Sequence, residues 1–262
     1  MEIKEKILTE ISNQLYPHLF ITISGAHLYG FASEDSDYDI RGVHILPIQD
    51  VAGIEHLNET VNYTEVKDNI EIDLVTHDIK KFFLLLLKRN GYVLEQLYSP
   101  LIVQTTPEHE ELKHLSKKCI TKYHSHHYLS FANTQWRLFK KEEPHHIKPL
   151  LYVYRVLLTG IYLMQTGEIE ANLSNLSNHF KLSYLEPLIE MKKNGKEKAV
   201  LADSDITFYE KEYERLVYQL EEETGKTHLP IEPTAKKELN ELLIRLRLIN
   251  SPSFEQIIKG IH

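Results

Sequence analysis

Residues 24–43 read SGAHLYGFASEDSDYDIRGV, and the order of their parts decides the fold: a glycine turn, an acidic loop, then a strand entered through Asp37, Tyr38 and Asp39. Just upstream, residues 19–24 (LFITIS) are β-branched and aromatic, which predicts a strand running straight into Gly25. Residues 39–46 (DIRGVHIL) predict a second strand. Asp37 and Asp39 stand two apart at its entry, and because side chains alternate along extended chain, both carboxylates project from one face. Like charges that close drive one pKa upward, whereas a bound Mg²⁺ reverses the cost and gains hard oxygen ligands. The pair asks for a cation.

Working outward, residues 2–15 carry Ile3, Ile7, Leu8, Ile11 and Leu15 at helical spacing. Residues 60–66 and 70–75 predict a hairpin joined by Lys67, Asp68 and Asn69. In its second arm Ile70, Ile72 and Leu74 share one face while Glu71, Asp73 and Val75 share the other, so Asp73 offers a third carboxylate from mid-strand. If that arm neighbours the strand of Asp39, three carboxylates surround one or two ions. In a two-metal site the ions lie roughly 3.5–4 Å apart, one lowering the pKa of an acceptor hydroxyl and the other neutralising a triphosphate and its leaving pyrophosphate. That is the chemistry of nucleotidyl transfer. The loop from Gly25 to Gly30 complements it, since glycines let backbone amides approach phosphate oxygens closely.

Beyond the hairpin the pattern turns helical. Thr76 reads as a cap for an apolar helix over residues 79–88, and Ser99-Pro100 closes the next short one. Thr106-Pro107-Glu108 opens another, with Pro at its first position and acid in its first turn. Further helices are predicted around residues 119–139, 147–165, 208–223 and 235–249, broken at 142–144, 194–195 and 229–233. The expectation is therefore an α+β catalytic domain over residues 1–105, then an α-helical domain over 106–262, with the site in the cleft between them. The NLSNLSN stretch at residues 172–178 reads as polar linker.

At 262 residues the chain can bury a substantial core, and 42% hydrophobic with 26% charged residues matches an ordinary globular protein. A formal net charge of -8 argues against coating long nucleic acid by bulk electrostatics, though a local basic surface could grip an end. The charge is uneven. Residues 1–110 hold 8 basic and 18 acidic side chains, which leaves the remainder near neutral and freer to face an anion. With one cysteine, Cys119, neither an internal disulfide nor a Cys-based zinc site can form within one chain. The longest unbroken apolar run, Phe82 to Leu87, is far short of a bilayer span, and the first residues lack a signal peptide's pattern, so a cytoplasmic protein is expected.

Rival readings of the loop fail on particular residues. Gly25 and Gly30 have P-loop spacing, but Phe31 and Ala32 follow where Lys and Ser/Thr belong. An EF-hand starting at Asp35 would place Ile40 at the glycine position and Leu46 at the closing glutamate. An isolated Asp-x-Asp is most often a solvated acidic turn. What distinguishes this one is the combination of strand, glycine turn, paired aspartates and a later strand aspartate.

That combination resembles the DNA polymerase beta-like nucleotidyltransferase superfamily, whose signature is a strand ending in Gly-Ser or Gly-Gly, a short gap, Asp-hydrophobic-Asp and a later strand aspartate. Gly25-Ala26, Asp37-Tyr38-Asp39 and Asp73 answer it here. More narrowly, SDYDIRGV with residues 73–100 (DLVTHDIKKFFLLLLKRNGYVLEQLYSP) is similar to the small stand-alone bacterial and phage branch often called RNA-ligase-associated nucleotidyltransferases. The resemblance covers about residues 20–105 well. It continues more weakly into residues 146–169, a helix bearing Lys148 and Arg155.

The resemblance implies transfer of a nucleoside monophosphate from a nucleoside triphosphate to a hydroxyl acceptor, an RNA end foremost, with Mg²⁺ or Mn²⁺ held by Asp37, Asp39 and Asp73. Asp73 would double as general base. It implies that Ser24, Gly25, Ala26, Gly30 and Ser36 lie around the nucleotide, that Lys148 reaches the triphosphate, and that Arg155 helps. Arg41 shares the strand face of Asp37 and Asp39 and either touches the nucleotide or balances their charge. Ala26 departs from the signature by lacking a hydroxyl for a phosphate oxygen, a loss on the order of 1–3 kcal/mol that Ser24 could offset. The alternatives are a small-molecule or protein acceptor, or a nucleotide-sensing module without activity.

Two clusters invite other readings. His124, His126 and His127 lack the i, i+4 spacing of a helical zinc pair, which favours plain polar residues. Tyr123, Tyr128, Phe131, Trp136 and Phe139 lie among basic residues and could stack bases, but aromatic residues at helical spacing more often pack a core. Oligomeric state and base preference leave no mark in the sequence.

Overall fold

The structure, a computed structural model, describes Ile7, Thr9, Ile11 and residues 14–54, 58–67, 70–195, 200–201 and 206–250. The strand leading into Gly25 is β1, His18–Ile23, and the aspartate strand is β2, Tyr38–His44. The hairpin arms are β3, Thr60–Lys67, and β4, Ile70–Asp78, while Ile102–Thr105 adds a short β5 that the sequence reading did not anticipate. They form one sheet in the order β3-β4-β2-β1-β5. Only β2 and β4 run parallel; the other neighbours are antiparallel. The protein is α+β, with helices dominating after the sheet.

Both faces of the sheet are covered, and β1 shows why its six residues are nearly all buried. Ile21 faces a small cluster with Ile40, Ile72, Leu74 and Val103, closed by Ile7 and Ile11. Leu19 and Phe20 face the main core instead. The helix expected over residues 2–15 falls largely outside the described residues; Ile7, Thr9 and Ile11 are helical within it. Asp68 and Asn69 of the hairpin turn also lie outside them.

The helices are α1 Gly25–Tyr29, α2 Ile48–Ala52, α3 Ile79–Leu87, α4 Gly91–Leu97, α5 Pro107–Ser116, α6 His124–Lys141, α7 Ile147–Thr166, α8 Leu173–Phe180, α9 Leu185–Asn194, α10 Ile206–Lys226 and α11 Lys236–Ile249. The main apolar cluster runs from Phe20 of β1 through Phe82 and Leu94 to Leu157 of α7 and Leu242 of α11. By length and composition α7 would suit a membrane span, yet 78% of its most apolar stretch is buried inside the fold. It is the axis of the helical core.

Local chemistry moves several predicted boundaries. Thr106 caps α5 as expected, its side chain accepting from the His109 amide. Thr76, expected to cap α3, lies inside β4 because that strand stays paired with β2 as far as His44↔Asp78. Asp78 caps instead, its Oδ2 accepting from the Lys80 amide at 3.0 Å and from Arg247 Nη2 of α11 at 2.6 Å, while its Oδ1 accepts from the Leu46 amide at 3.2 Å. The helix expected from residue 119 starts at His124, since a short 3-10 turn over Lys117–Cys119 precedes it and the Thr121 amide donates to His124 Nδ1 at 3.1 Å. The NLSNLSN stretch is not linker. Asn172 accepts from the Ser174 and Asn175 amides, and α8 buries Leu173 and Leu176.

Candidate active site

Parallel pairing of β2 and β4 sets Asp39 directly opposite Asp73. The side chains meet on one guanidinium: Arg41 Nη2 lies 2.6 Å from Asp39 Oδ1 and 2.9 Å from Asp73 Oδ2. Arg41 Nη1 donates to the Ile40 and Asp73 carbonyls at 2.9 and 2.7 Å, and Nε to the Tyr92 hydroxyl at 2.9 Å. All five N–H donors are thereby used. Of its two expected roles, Arg41 takes that of charge balance; a nucleotide contact would require it to exchange one of these bonds.

Burial raises the Asp39 pKa, opposed by Arg41 and reinforced by Asp73 and Asp37. Lys148 sits at the start of α7, and its charge favours ionised Asp39. Asp37 is exposed, one residue before β2. Among the described residues no three acidic, His or Cys side chains are gathered closely enough to hold a metal ion. Carboxylate oxygens on neighbouring strands are hard donors of the kind Mg²⁺ or Mn²⁺ takes. Arg41, holding both carboxylates, supplies one positive charge between Asp39 and Asp73.

Gly25 makes room for the Asp39 carboxylate. It adopts φ +60, and a β-carbon there would lie 1.8 Å from Asp39 Oδ2. The Asp39 carboxylate therefore rests on bare backbone at the start of α1, tied further by the Ser24 amide donating to the Asp39 carbonyl at 2.7 Å. Ser24 Oγ is buried and without a hydrogen-bond partner. Ala26 packs into the main core, so the missing hydroxyl belongs to a position facing inward.

Other expected residues make contacts within the fold. Gly30 closes α1 with φ 83, its amide donating to the Ala26 carbonyl and its face against the Asn172 side chain, so it shapes the turn. Ser36 Oγ accepts from the Ser33 amide at 2.9 Å and braces the acidic loop, which Lys192 of α9 anchors through Ser33 Oγ at 2.7 Å. Arg155, expected on the triphosphate, is instead buried, with Nη1 2.6 Å from Glu95 Oε1 and its guanidinium 3.9 Å above the Tyr29 ring. Glu71 is exposed.

His27, Tyr29, Tyr92, Glu95 and Tyr152, which the sequence reading passed over, join Tyr128, Phe131 and Arg155, to which it gave other roles. His27 stacks on Tyr38 with ring centroids 4.1 Å apart, and burial lowers its pKa despite nearby Asp39 and Asp37. A cavity of about 450 Å³ opens beside Gly25 and Asp39, with Tyr29, Tyr92, Phe131 and Tyr152 among its walls and Glu95, Tyr128 and Arg155 also lining it. Glu95 sits in GYVLEQL and Arg155 in LLYVYRVLL. An ionisable residue inside an apolar helix was the signal available for each. Of the aromatic series on α6, Tyr128, Trp136 and Phe139 are buried while Phe131 stays exposed at the cavity. His124 is buried, and its Nδ1 accepts from the Thr121 amide.

Comparison with known proteins bears on this geometry. A sequence profile described as the RNA repair pathway DNA polymerase beta family matches residues 2–245. An uncharacterised protein of Methanocaldococcus jannaschii is 33% identical over 161 residues, 60% of this chain and 64% of that protein, so the match spans just under two thirds of the relative. An uncharacterised protein of Bacillus subtilis is 26% identical over 255 residues, covering 92% of this chain and 95% of its own. Among solved structures, a nucleotidyltransferase-like protein from Exiguobacterium sibiricum aligns over 85% of this chain and 73% of its own, with 12% identity and a TM-score of 0.33.

Proposed function

Since the chain belongs to the RNA repair pathway DNA polymerase beta family, we propose that it transfers a nucleoside monophosphate from a nucleoside triphosphate to a hydroxyl at an RNA end. The observation that carries this reading is the register of Asp39 opposite Asp73 on parallel strands, with the Asp39 carboxylate lodged against Gly25. Asp37, Asp39 and Asp73 would hold Mg²⁺ or Mn²⁺, which when bound supplies charge neutralisation for the triphosphate and acidifies the acceptor hydroxyl.

The residues of the chain supply the rest. Gly25 leaves room for the Asp39 carboxylate beside the triphosphate, and Ser24 Oγ, buried without a partner, donates to a phosphate oxygen. Lys148, whose charge already reaches Asp39, offsets the phosphates. Asp73 accepts the proton of the acceptor hydroxyl as its oxygen bonds the α-phosphorus; the bond from that phosphorus to the bridging oxygen breaks and pyrophosphate departs. Arg41 fixes Asp39 and Asp73 relative to one another, a positioning task that in such sites governs rate through geometry.

A second reading draws on Arg41 itself, which already satisfies both carboxylates. It is a nucleotide-sensing module that binds without transfer. Incubating the protein with each α-labelled nucleoside triphosphate, Mg²⁺ or Mn²⁺, and RNA, aminoglycoside or protein acceptors separates the readings. Label on RNA, lost in the Asp37→Ala, Asp39→Ala double variant, is the expected result. Label on another acceptor class redirects the assignment, and nucleotide binding with no transfer to any acceptor overturns the enzyme reading.

A further inference from the structure

The cavity beside Asp39 is built unlike an ordinary core gap. Glu95 and Arg155 are each 3% exposed and Tyr128 is 1% exposed, yet all three line it. Their ion pair uses Arg155 Nη1 and Glu95 Oε1 only. Glu95 Oε2, Arg155 Nε and the Tyr128 hydroxyl are buried and outside hydrogen-bonding geometry, although the Tyr128 and Tyr29 hydroxyls lie close enough to Glu95 to act on its carboxylate. Buried polar atoms are nearly always satisfied, and a pair retained only for stability gains by satisfying its remaining oxygens and protons. Here an acceptor and two donors are left over together, at the edge of a hollow.

The same hollow is walled by flat side chains. Tyr29, Tyr92, Phe131 and Tyr152 border it, and its volume of about 450 Å³ falls within the range of small-ligand sites. Tyr128 is held in place: a β-carbon on Gly91 would lie 2.7 Å from its hydroxyl, and one on Gly160 3.0 Å from its own β-carbon. The hydroxyl is therefore preset, and Tyr92 joins the cavity wall to the Arg41 clamp.

Resting on the nucleotidyl-transfer reading, we propose that this cavity seats a nucleobase, with Glu95 Oε2 accepting from a ring N–H or amino group and Arg155 Nε or the Tyr128 hydroxyl donating to the adjacent carbonyl or ring nitrogen. A base is flat, stacks on aromatic faces, and presents donor and acceptor side by side along one edge. Glu95, Arg155 and Tyr128 are then the residues that determine base preference. The base belongs either to the triphosphate or to the acceptor end, and both sources present the same edge.

Calorimetric binding of the four nucleoside triphosphates with Mg²⁺, and separately of four short RNAs differing in their terminal base, tests this on the wild type, Glu95→Gln and Tyr128→Phe. Glu95→Gln keeps the shape and replaces an acceptor-only carboxylate by an amide; Tyr128→Phe removes one hydroxyl. Thermal unfolding followed by circular dichroism checks that each variant is folded. One ligand series should show a preferred base bound about 10- to 100-fold tighter than the least favoured, with the preference collapsing in Glu95→Gln and narrowing in Tyr128→Phe. The responding series identifies the source. Uniform affinity across bases in both series, or variants that weaken all bases equally, overturns the proposal and leaves the pair a structural element. Labelled transfer without base preference sinks the cavity but not the enzyme, whereas base-selective binding without transfer sinks the enzyme but not the cavity.

Discussion

At the scale of single residues, the site depends on an absent side chain. Gly25 occupies the left-handed region at φ +60, and the Asp39 carboxylate fills the space its side chain would take. Gly25→Ala therefore combines backbone strain of roughly 1–2 kcal/mol with displacement of a proposed metal ligand. Transfer should fall about 10²-fold, the penalty for misplacing reacting groups by an ångström, while a modest drop in urea midpoint reports the strain. Unchanged turnover would show that the Asp39 position does not matter. This contact was partly legible in advance, because Gly25, Asp37, Asp39 and Asp73 stand out as residue types at telling intervals. Arg41 was legible only as an alternative, since no spacing reveals that one guanidinium meets Asp39, Asp73 and Tyr92 at once. Glu95 and Arg155 are 60 residues apart, and only packing of α4 against the helical core unites them.

At the scale of elements, strands and long helices followed from period, whereas short pieces were decided by partners. β5 has four residues and exists because β1 offers it an edge, Phe20 pairing with Thr105 and Ile21 with Gln104. α8 illustrates the same point for helices. Its polar asparagines and serines hide Leu173 and Leu176 on one face, and Asn172 caps it by accepting from two amides at 3.0 and 3.2 Å. The same Asn172 side chain lies against Gly30, so the cap of a distal helix supports the turn that closes α1. Asn172→Ala should cost about 1 kcal/mol in denaturant unfolding, the usual worth of such a cap. Asn172→Asp, which keeps the accepting oxygen, should recover most of that loss; equal destabilisation by both would assign the effect to the Gly30 contact instead.

At the scale of the whole molecule, the core that joins sheet and helices has sealed in histidines that titrate out of their usual range. His44, His109 and His124 are at most 1% exposed, and burial pushes each down to about 4. In the unfolded chain a histidine titrates near 6.5. Between those values the unfolded state binds more protons than the folded one, so the stabilisation is complete above about 6.5 and is lost progressively as pH falls toward 4. Asp39 and Glu95 act in the opposite sense, because burial raises their pKa and the folded state holds on to their protons. The net acid sensitivity is thus a difference, and single substitutions resolve it better than the total. His109 is the clearest probe: its ring stacks on Phe20 at 4.2 Å and spans from Thr105 Oγ1 to the Leu97 carbonyl, linking β1, β5, α4 and α5. Replacing it by Asn removes one proton from the balance, so stability measured by urea unfolding should fall less steeply between pH 6 and 5, by up to about 1.4 kcal/mol per pH unit. A variant whose stability declines with pH in parallel with the wild type would mean that His109 is charged, or equally solvated, in both states, and the sealed-core account of the acid response would fail.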